Sequence, residues 1–405
     1  MKKRNKKKSH KMIYGLLVVF LVLVVYTYVI LSLPLKNIYA TTLKSPITTS
    51  GKLTVAWPTS GESSIGVQGY GTVVSNGVQT PTQTASIAKL VTALSVLNKY
   101  PLKVGEQGPT ITIQAADVTD YNNFVAEDGS VVKVVAGEQI TEYQAIQAMM
   151  LPSANNMADT LANWAFGSTN SYVVYANQYV KELGMNQTTI ADASGFSPNT
   201  LSTSNDLIKL GEASLDNPVL SEIVGQKSAV LPVVGLVMNV DWFIGQDDLI
   251  GIKTGNTDQA GGCFLSAAKY DLGNNNSITI IGAVMKASTL QSALDQTIPM
   301  LQSVKNQIQL KTLPAGTASS TYYVPWEGDV ASVTKSTIAI PYIPGLPLTY
   351  INNSTSIKPV VNSGRIVGSV VFGVGNDKSS TPLILSKDIN QPSLTWKLLH
   401  PQYFI

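Results

Sequence analysis

Residues Ile13 to Leu33 form an uncharged apolar run, and that run constrains the chain before anything else does. A backbone buried in lipid must satisfy its own hydrogen bonds, so one isolated apolar segment has to be a helix. As a helix its 21 residues extend about 32 Å, enough for a hydrocarbon core about 30 Å thick. Seven basic residues precede it (Lys2, Lys3, Arg4, Lys6, Lys7, Lys8 and Lys11) with no acidic partner. By the positive-inside rule they keep residues 1–12 in the cytoplasm and place everything after Pro34 outside. The competing reading is a cleaved leader ending at Ala40. The run is long for a leader and Ile38-Tyr39-Ala40 fits a small-x-small site poorly, so a retained anchor across 13–33 is expected.

The remainder reads as globular, with room for two domains. The formal charge of +3 comes from the N-terminal cluster; without those seven residues, 21 basic residues face 25 acidic ones. That leaves no global positive excess for nucleic acid. Cys263 is the single cysteine, so an intramolecular disulfide and a Cys/His zinc site are both excluded. It lies in an apolar run and reads as a buried small residue. No metal or organic cofactor is expected. The only histidines are His10 and His400. A serine enzyme built on this chain therefore takes its base from a lysine.

Residues 53–74 alternate apolar and small side chains around Gly66, Gly69 and Gly71, as a strand pair with a turn does. Residues 84–99 switch to helical spacing, with Ile87, Leu90, Val91, Leu94 and Leu97 on one stripe and Thr84 placed to cap it. Residues 141–166 read as two helices broken at Pro152. Helical spacing returns at 171–184, 205–215 and 289–308. The runs 250–254, 262–268 and 278–285 are β-rich at hairpin spacing. After about Leu313 the texture is all-β, as in a small β-sandwich. Residues 34–50 carry little periodicity and read as a linker.

Ser86-Ile-Ala-Lys89 stands at the head of the first helical pattern. Residues i and i+3 share a helix face, so Lys89 can reach Ser86 and activate its hydroxyl. As a base Lys89 needs a pKa near 7 rather than about 10.4; burial and a second cation are the usual means. Lys253 is the candidate for that cation. Two further Ser-x-x-Lys copies, Ser266–Lys269 and Ser332–Lys335, lie in strand patterns, where i and i+3 point to opposite faces. Ser153-Ala-Asn155 follows Pro152, where both side chains can face one cleft; a helix cap is the plainer reading. Lys253-Thr254-Gly255 ends a β-rich run. It offers a cation and a hydroxyl for a carboxylate, and a glycine where a substrate backbone can approach. A solvated strand end is the plainer reading there.

In this order the three motifs match the signature of penicillin-binding proteins and class A β-lactamases. Wider segments around them (84–93, 150–156, 183–188, 194–196, 202–207 and 253–263) resemble the low-molecular-mass D-alanyl-D-alanine carboxypeptidases over about residues 50–310. Lys358-Pro-Val-Val-Asn-Ser-Gly364-Arg-Ile-Val367-Gly368 resembles that family's C-terminal β-domain. The resemblance implies an α+β fold, with an antiparallel sheet flanked by helices in the β-lactamase/transpeptidase-like manner and the active site at the sheet edge. It assigns residues 51–312 to the catalytic domain and 313–400 to a small C-terminal β-sandwich.

The resemblance also implies roles. Ser86 attacks the D-Ala-D-Ala carbonyl and becomes acylated, and Lys89 takes its proton. Ser153 and Asn155 relay a proton to the leaving amine and orient the substrate. Lys253 and Thr254, followed by Gly255, hold the terminal carboxylate, and the backbone N–H groups of Ser86 and Asn256 form the oxyanion hole. The implied partners are a peptidoglycan stem peptide and β-lactams as covalent inhibitors. The rivals are a DD-endopeptidase or transpeptidase of the same group, and a penicillin-binding sensor that does not turn over. Two departures stand out. Family members commonly end in an amphipathic membrane-associating helix, whereas here 393–405 is short and the anchor lies at the other end. The only arginines are Arg4 and Arg365, so recognition of the carboxylate falls on Lys253.

Overall fold

The computed structural model describes residues 3–45, 51–273, 276–374 and 377–404. The apolar run lies in one helix, Lys3–Ser32. Its segment His10–Ser32 has a mean hydropathy of 2.6 and is almost wholly exposed.

The catalytic part is built on a five-stranded antiparallel sheet. In spatial order its strands are Leu249–Thr257, Gly261–Asp271, Ser277–Ala287, Glu62–Val67 and Gly71–Asn76. The three consecutive strands are buried on both faces, so their burial barely alternates. Alternate residues serve two cores. Phe264, Ala268 and Tyr270 pack with Leu294, Met300 and Leu301 of the helix Leu290–Lys305. Leu265 and Ala267 face the other way, into a larger core with the helices Lys89–Lys99, Glu142–Met150, Asn155–Phe166 and Ser204–Asp216. This is the expected sheet flanked by helices. Leu249–Thr257 is an edge strand, and its free side opens on the site.

The helix Lys89–Lys99 buries every residue from 89 to 97, because it is enclosed by helices rather than resting on one face. Thr84 does not cap it: its hydroxyl bonds to the Ala85 carbonyl at 3.2 Å instead. The sequence reading passed over the helix Ala115–Ala126, whose one buried residue is Asp117. Without an apolar stripe it left no periodic signal.

The C-terminal part is a six-stranded antiparallel sheet covered by a two-stranded ribbon. The sheet order is Ala40–Thr42, Ala318–Val324, Gly328–Thr334, Asp377–Leu385, Ile366–Val374 and Thr349–Ser354; the ribbon pairs Gln309–Leu313 with Ile338–Tyr342. Two expectations change here. The supposed linker 34–50 contributes the edge strand Ala40–Thr42, and Ile38 bridges Ile357. Ile38 is buried, so burial rather than periodicity fixes that segment. Residues 46–50 lie outside the described residues. The boundary expected at 312/313 falls inside the strand Gln309–Leu313.

Candidate active site

Ala85–Ala88 form one 3-10 turn that runs directly into the helix Lys89–Lys99. Three residues per turn eclipse positions i and i+3, so Lys89 Nζ lies 2.9 Å from Ser86 Oγ. The sequence pointed to an α-helix here; the tighter turn aligns the pair more directly. Ala85 has a φ of 46°, a left-handed conformation that persists only where the surroundings hold it. Gly195 supplies part of that hold, since any Cβ at 195 would overlap the Ala85 carbonyl oxygen. The two other Ser-x-x-Lys copies begin on strands, and their serines are engaged elsewhere: Ser266 donates to the Gly282 carbonyl and Ser332 bonds to Ser320.

Lys89 is fully buried. Its Nζ also donates to Asn155 Oδ1 at 2.7 Å and to the Ser194 carbonyl at 2.9 Å. Burial first, and then the charge on Lys253, push its pKa far below the usual lysine value, against the pull of Asp192 and Asp159. A neutral amine has two hydrogens and one lone pair. With both hydrogens taken by Asn155 and Ser194, the lone pair is left for the Ser86 hydroxyl.

Ser153 sits in the turn after Pro152 with a φ of 65°. The next helix begins at Asn155, is preceded by Ala154, and has no side-chain cap. Neither Ser153 nor Asn155 therefore acts as a cap, and both side chains turn to the two lysines instead. Lys253 Nζ donates to Ser153 Oγ at 3.0 Å. Asn155 is also held from the loop before it, its N–H donating to the Ser130 carbonyl at 2.7 Å. Asn156 pins the same loop by two bonds to the Val132 backbone.

Lys253 and Thr254 are buried within the edge strand, which continues to Thr257 rather than ending at the motif. Burial pushes the Lys253 pKa down to about 7, and the Asp241 carboxylate opposes that shift. Gly255 has a different neighbour from the one expected. A Cβ there would lie 2.8 Å from the Thr84 carbonyl oxygen and 3.1 Å from the Ser86 nitrogen. The backbone that needs this glycine is the protein's own turn at 84–86, so the edge strand lies directly against the Ser86 N–H. Asn256, next along, is exposed on the same strand. Lys286 is exposed near the end of the strand Ser277–Ala287, two strands across from Asn256, and its charge acts on Glu62. Cys263 is buried, and burial raises its thiol to about 11.

The sequence reading missed three contributors. One is the Ser194 carbonyl, presented by a turn in which the Asp192 carboxylate accepts from the Ser194 and Phe196 N–H groups. A backbone acceptor has no residue signature. The second is the loop at 129–132. The third is Asp241, buried with one carboxylate oxygen unpartnered and close enough to act on Lys253. Its segment is fastened to the turn that carries Ser153, because Val240 N–H donates to the Leu151 carbonyl at 3.0 Å.

The model of the family described as D-alanyl-D-alanine carboxypeptidase matches residues 70–289, which include every motif residue above. The chain belongs to the D-alanyl-D-alanine carboxypeptidase family. It is similar to the D-alanyl-D-alanine carboxypeptidase DacA of Escherichia coli, with 24% identity over 336 residues, 78% of this chain and 79% of that protein. A D-alanyl-D-alanine endopeptidase of Pseudomonas aeruginosa is 30% identical over 139 residues, covering 34% of this chain and 41% of that protein. The fold is shared with penicillin binding protein 5 from Haemophilus influenzae, at a TM-score of 0.59 and 20% identity, over 84% of this chain and all of that one. It is also shared with a peptidoglycan synthesis regulatory factor (PBP3) from Streptococcus pneumoniae, at a TM-score of 0.62 and 17% identity, over 83% of this chain and all of that one.

Proposed function

We propose that this carboxypeptidase works through Ser86, with Lys89 as its base, on the terminal D-Ala-D-Ala bond of peptidoglycan stem peptides. The observation that carries the reading is the three-way setting of Lys89 Nζ between Ser86, Asn155 and the Ser194 carbonyl. A stem peptide lies along the open side of the strand Leu249–Thr257, as peptides do on exposed sheet edges. Its terminal carboxylate meets Lys253 and Thr254, and Gly255 keeps that strand against the turn of Ser86.

Lys89 takes the Ser86 proton as Oγ bonds to the carbonyl carbon. The oxyanion is received by the backbone N–H groups of Ser86 and Asn256. The C–N bond then breaks, and the departing amine takes a proton through Ser153, which Lys253 holds in place. D-Alanine leaves with its carboxylate, and water attacks the acyl-enzyme to restore Ser86. A β-lactam enters the same path, but its amine stays tethered after ring opening. β-Lactams are therefore covalent inhibitors.

The helix Lys3–Ser32 is the membrane anchor in this reading. Its basic end is cytoplasmic and the two globular parts stand outside the membrane, where the stem peptides are.

Release of D-alanine from diacyl-Lys-D-Ala-D-Ala tests the activity. Acylation by penicillin without D-alanine release would make the protein a sensor. Cleavage confined to cross-linked muropeptides would make it an endopeptidase.

A further inference from the structure

We propose that Asp192 is a positioning residue of the active site. Its carboxylate holds the segment 192–195 in register against the helical segment 85–99 and so aims the Lys89 amine at Ser86. The proposal rests on the reading of Lys89 as the base and adds what aims it.

Three consecutive residues of the segment meet three levels of one helical face. The Ala193 carbonyl accepts from Thr92 Oγ1 at 2.6 Å, and the Ser194 carbonyl accepts from Lys89 Nζ at 2.9 Å. Gly195 lies so close to Ala85 and Ala88 that a Cβ would overlap the Ala85 carbonyl and crowd the Ala88 methyl. Positions 85, 89 and 92 are four and three residues apart, so they share one side of the helical segment. The segment 193–195 therefore runs antiparallel to it, one residue for each turn. Its middle contact is the one to Lys89. A slip of a single residue would carry the Ser194 carbonyl away from Nζ, and the amine could then rotate off Ser86.

Asp192 fixes that register. Its Oδ2 accepts from the Ser194 N–H at 3.2 Å, the Ser194 hydroxyl at 2.7 Å and the Phe196 N–H at 2.9 Å. Its Oδ1 accepts from Thr200 Oγ1 at 2.6 Å, and Thr200 Oγ1 accepts in turn from the Ala191 N–H at 3.0 Å. One carboxylate thus closes the chain between 191 and 200 into a fastened loop. Bonds to an ionised acceptor are roughly twice as strong as neutral ones. Ser194 and Thr200 are buried, which shields two of the partners from competing water. The helix side of the contact is also held, because the buried Thr92 bonds to the buried Tyr172 Oη at 2.8 Å.

The sign of its charge excludes the other role open to Asp192. Lys253 favours the neutral form of Lys89, whereas Asp192 and Asp159 favour the ammonium form. A carboxylate that opposes deprotonation of the base is not its activator. The contribution of Asp192 is geometric.

The test separates geometry from charge. Asp192→Asn and Asp192→Ala both remove the negative charge. Asparagine can keep the fastening, with its amide oxygen accepting from Ser194 and Phe196 and its amide nitrogen donating to Thr200 Oγ1. Alanine cannot. Acylation by fluorescent penicillin is followed as a rate per labelled site, which counts only folded, reactive enzyme. Asp192→Ala should acylate more slowly than Asp192→Asn by up to roughly 10²-fold, as for a reacting group misplaced by about 1 Å. The loss should fall on the rate at saturating penicillin, because the segment touches the base and not Lys253. Equal rates in the two variants, or a loss confined to the half-saturating concentration, would overturn the role. Thr200→Val cuts only the Oδ1 arm and is the milder second probe. It should slow acylation in the same sense, and a wild-type rate in it would also overturn the role. Lys89→Met, measured beside them, keeps the two readings apart. A wild-type rate in Lys89→Met would remove the base and the positioning role together. A slow Lys89→Met with equal rates in Asp192→Asn and Asp192→Ala would overturn the positioning role and leave the base standing.

Discussion

Lys253 Nζ donates to Ser153 Oγ across 3.0 Å, joining two residues 100 positions apart. The same cation lowers the pKa of Lys89, whose Nζ is bonded to Ser86. One lysine thus holds the proposed leaving-group proton relay and helps keep the other lysine neutral.

Lys89→Met removes the proposed base but keeps an apolar stem of similar length in the buried site. Acylation by fluorescent penicillin should slow by roughly 10²–10⁴-fold, the usual contribution of a general base. Ser86→Ala should abolish covalent labelling while thermal unfolding stays near wild type. Labelling that persists in Ser86→Ala would remove Ser86 as the nucleophile.

The pH profile should show opposing demands. Lys89 must be neutral to act, so its lowered pKa opens activity from the acidic side. Lys253 must be charged to hold a carboxylate, and its pKa of about 7 places the alkaline loss of substrate affinity near neutrality. Asp241 is the carboxylate that favours the Lys253 ammonium form. Asp241→Asn should therefore move the alkaline limb of kcat/KM to lower pH. An unchanged or upward-shifted limb would refute the coupling.

Gly255→Ala places a Cβ against the Thr84 carbonyl oxygen and the Ser86 nitrogen. The turn carrying Ser86 has to move. The acylation rate should fall by roughly tenfold or more, equivalent to about 1.4 kcal/mol, while circular dichroism remains unchanged. Gly273→Ala, where nothing lies within 4 Å of the added Cβ although φ is positive at 78°, is the control. It should leave acylation intact.

Glu142 is buried with both carboxylate oxygens unpartnered, and burial raises its pKa to about 7. The folded chain therefore holds this proton where an unfolded glutamate, with a pKa of about 4.3, has lost it. Stability from this group is fully present below pH 4.3 and is lost as pH rises through about 7. Glu142→Gln should raise Tm at pH 8 and change it little at pH 4. Equal effects at the two pH values would show that the carboxyl is not the cause.

Much of the site was legible because its chemistry is local. Ser86 and Lys89 are three residues apart, and their helical context separates them from the Ser266 and Ser332 copies on strands. Ser153 was placed by the proline before it. The role of Gly255 was misread because a glycine records that something approaches, not what. Thr84 was misread as a cap because side-chain type alone does not show that its hydroxyl turns to the Ala85 carbonyl.

The chain's local pattern determined the apolar helix and the alternation of helix and strand around the motifs, and it set the expectation of a lysine base. Those depend on residue type and spacing over a few positions. Tertiary structure decided what surrounds that base: Asn155 and Ser194 lie 66 and 105 positions from Lys89. It also decided that Asp241 faces Lys253 and that Ala40–Thr42 joins a sheet. Such contacts form only when distant segments pack, and packing selects partners by shape and burial, which leave no periodic trace in the sequence.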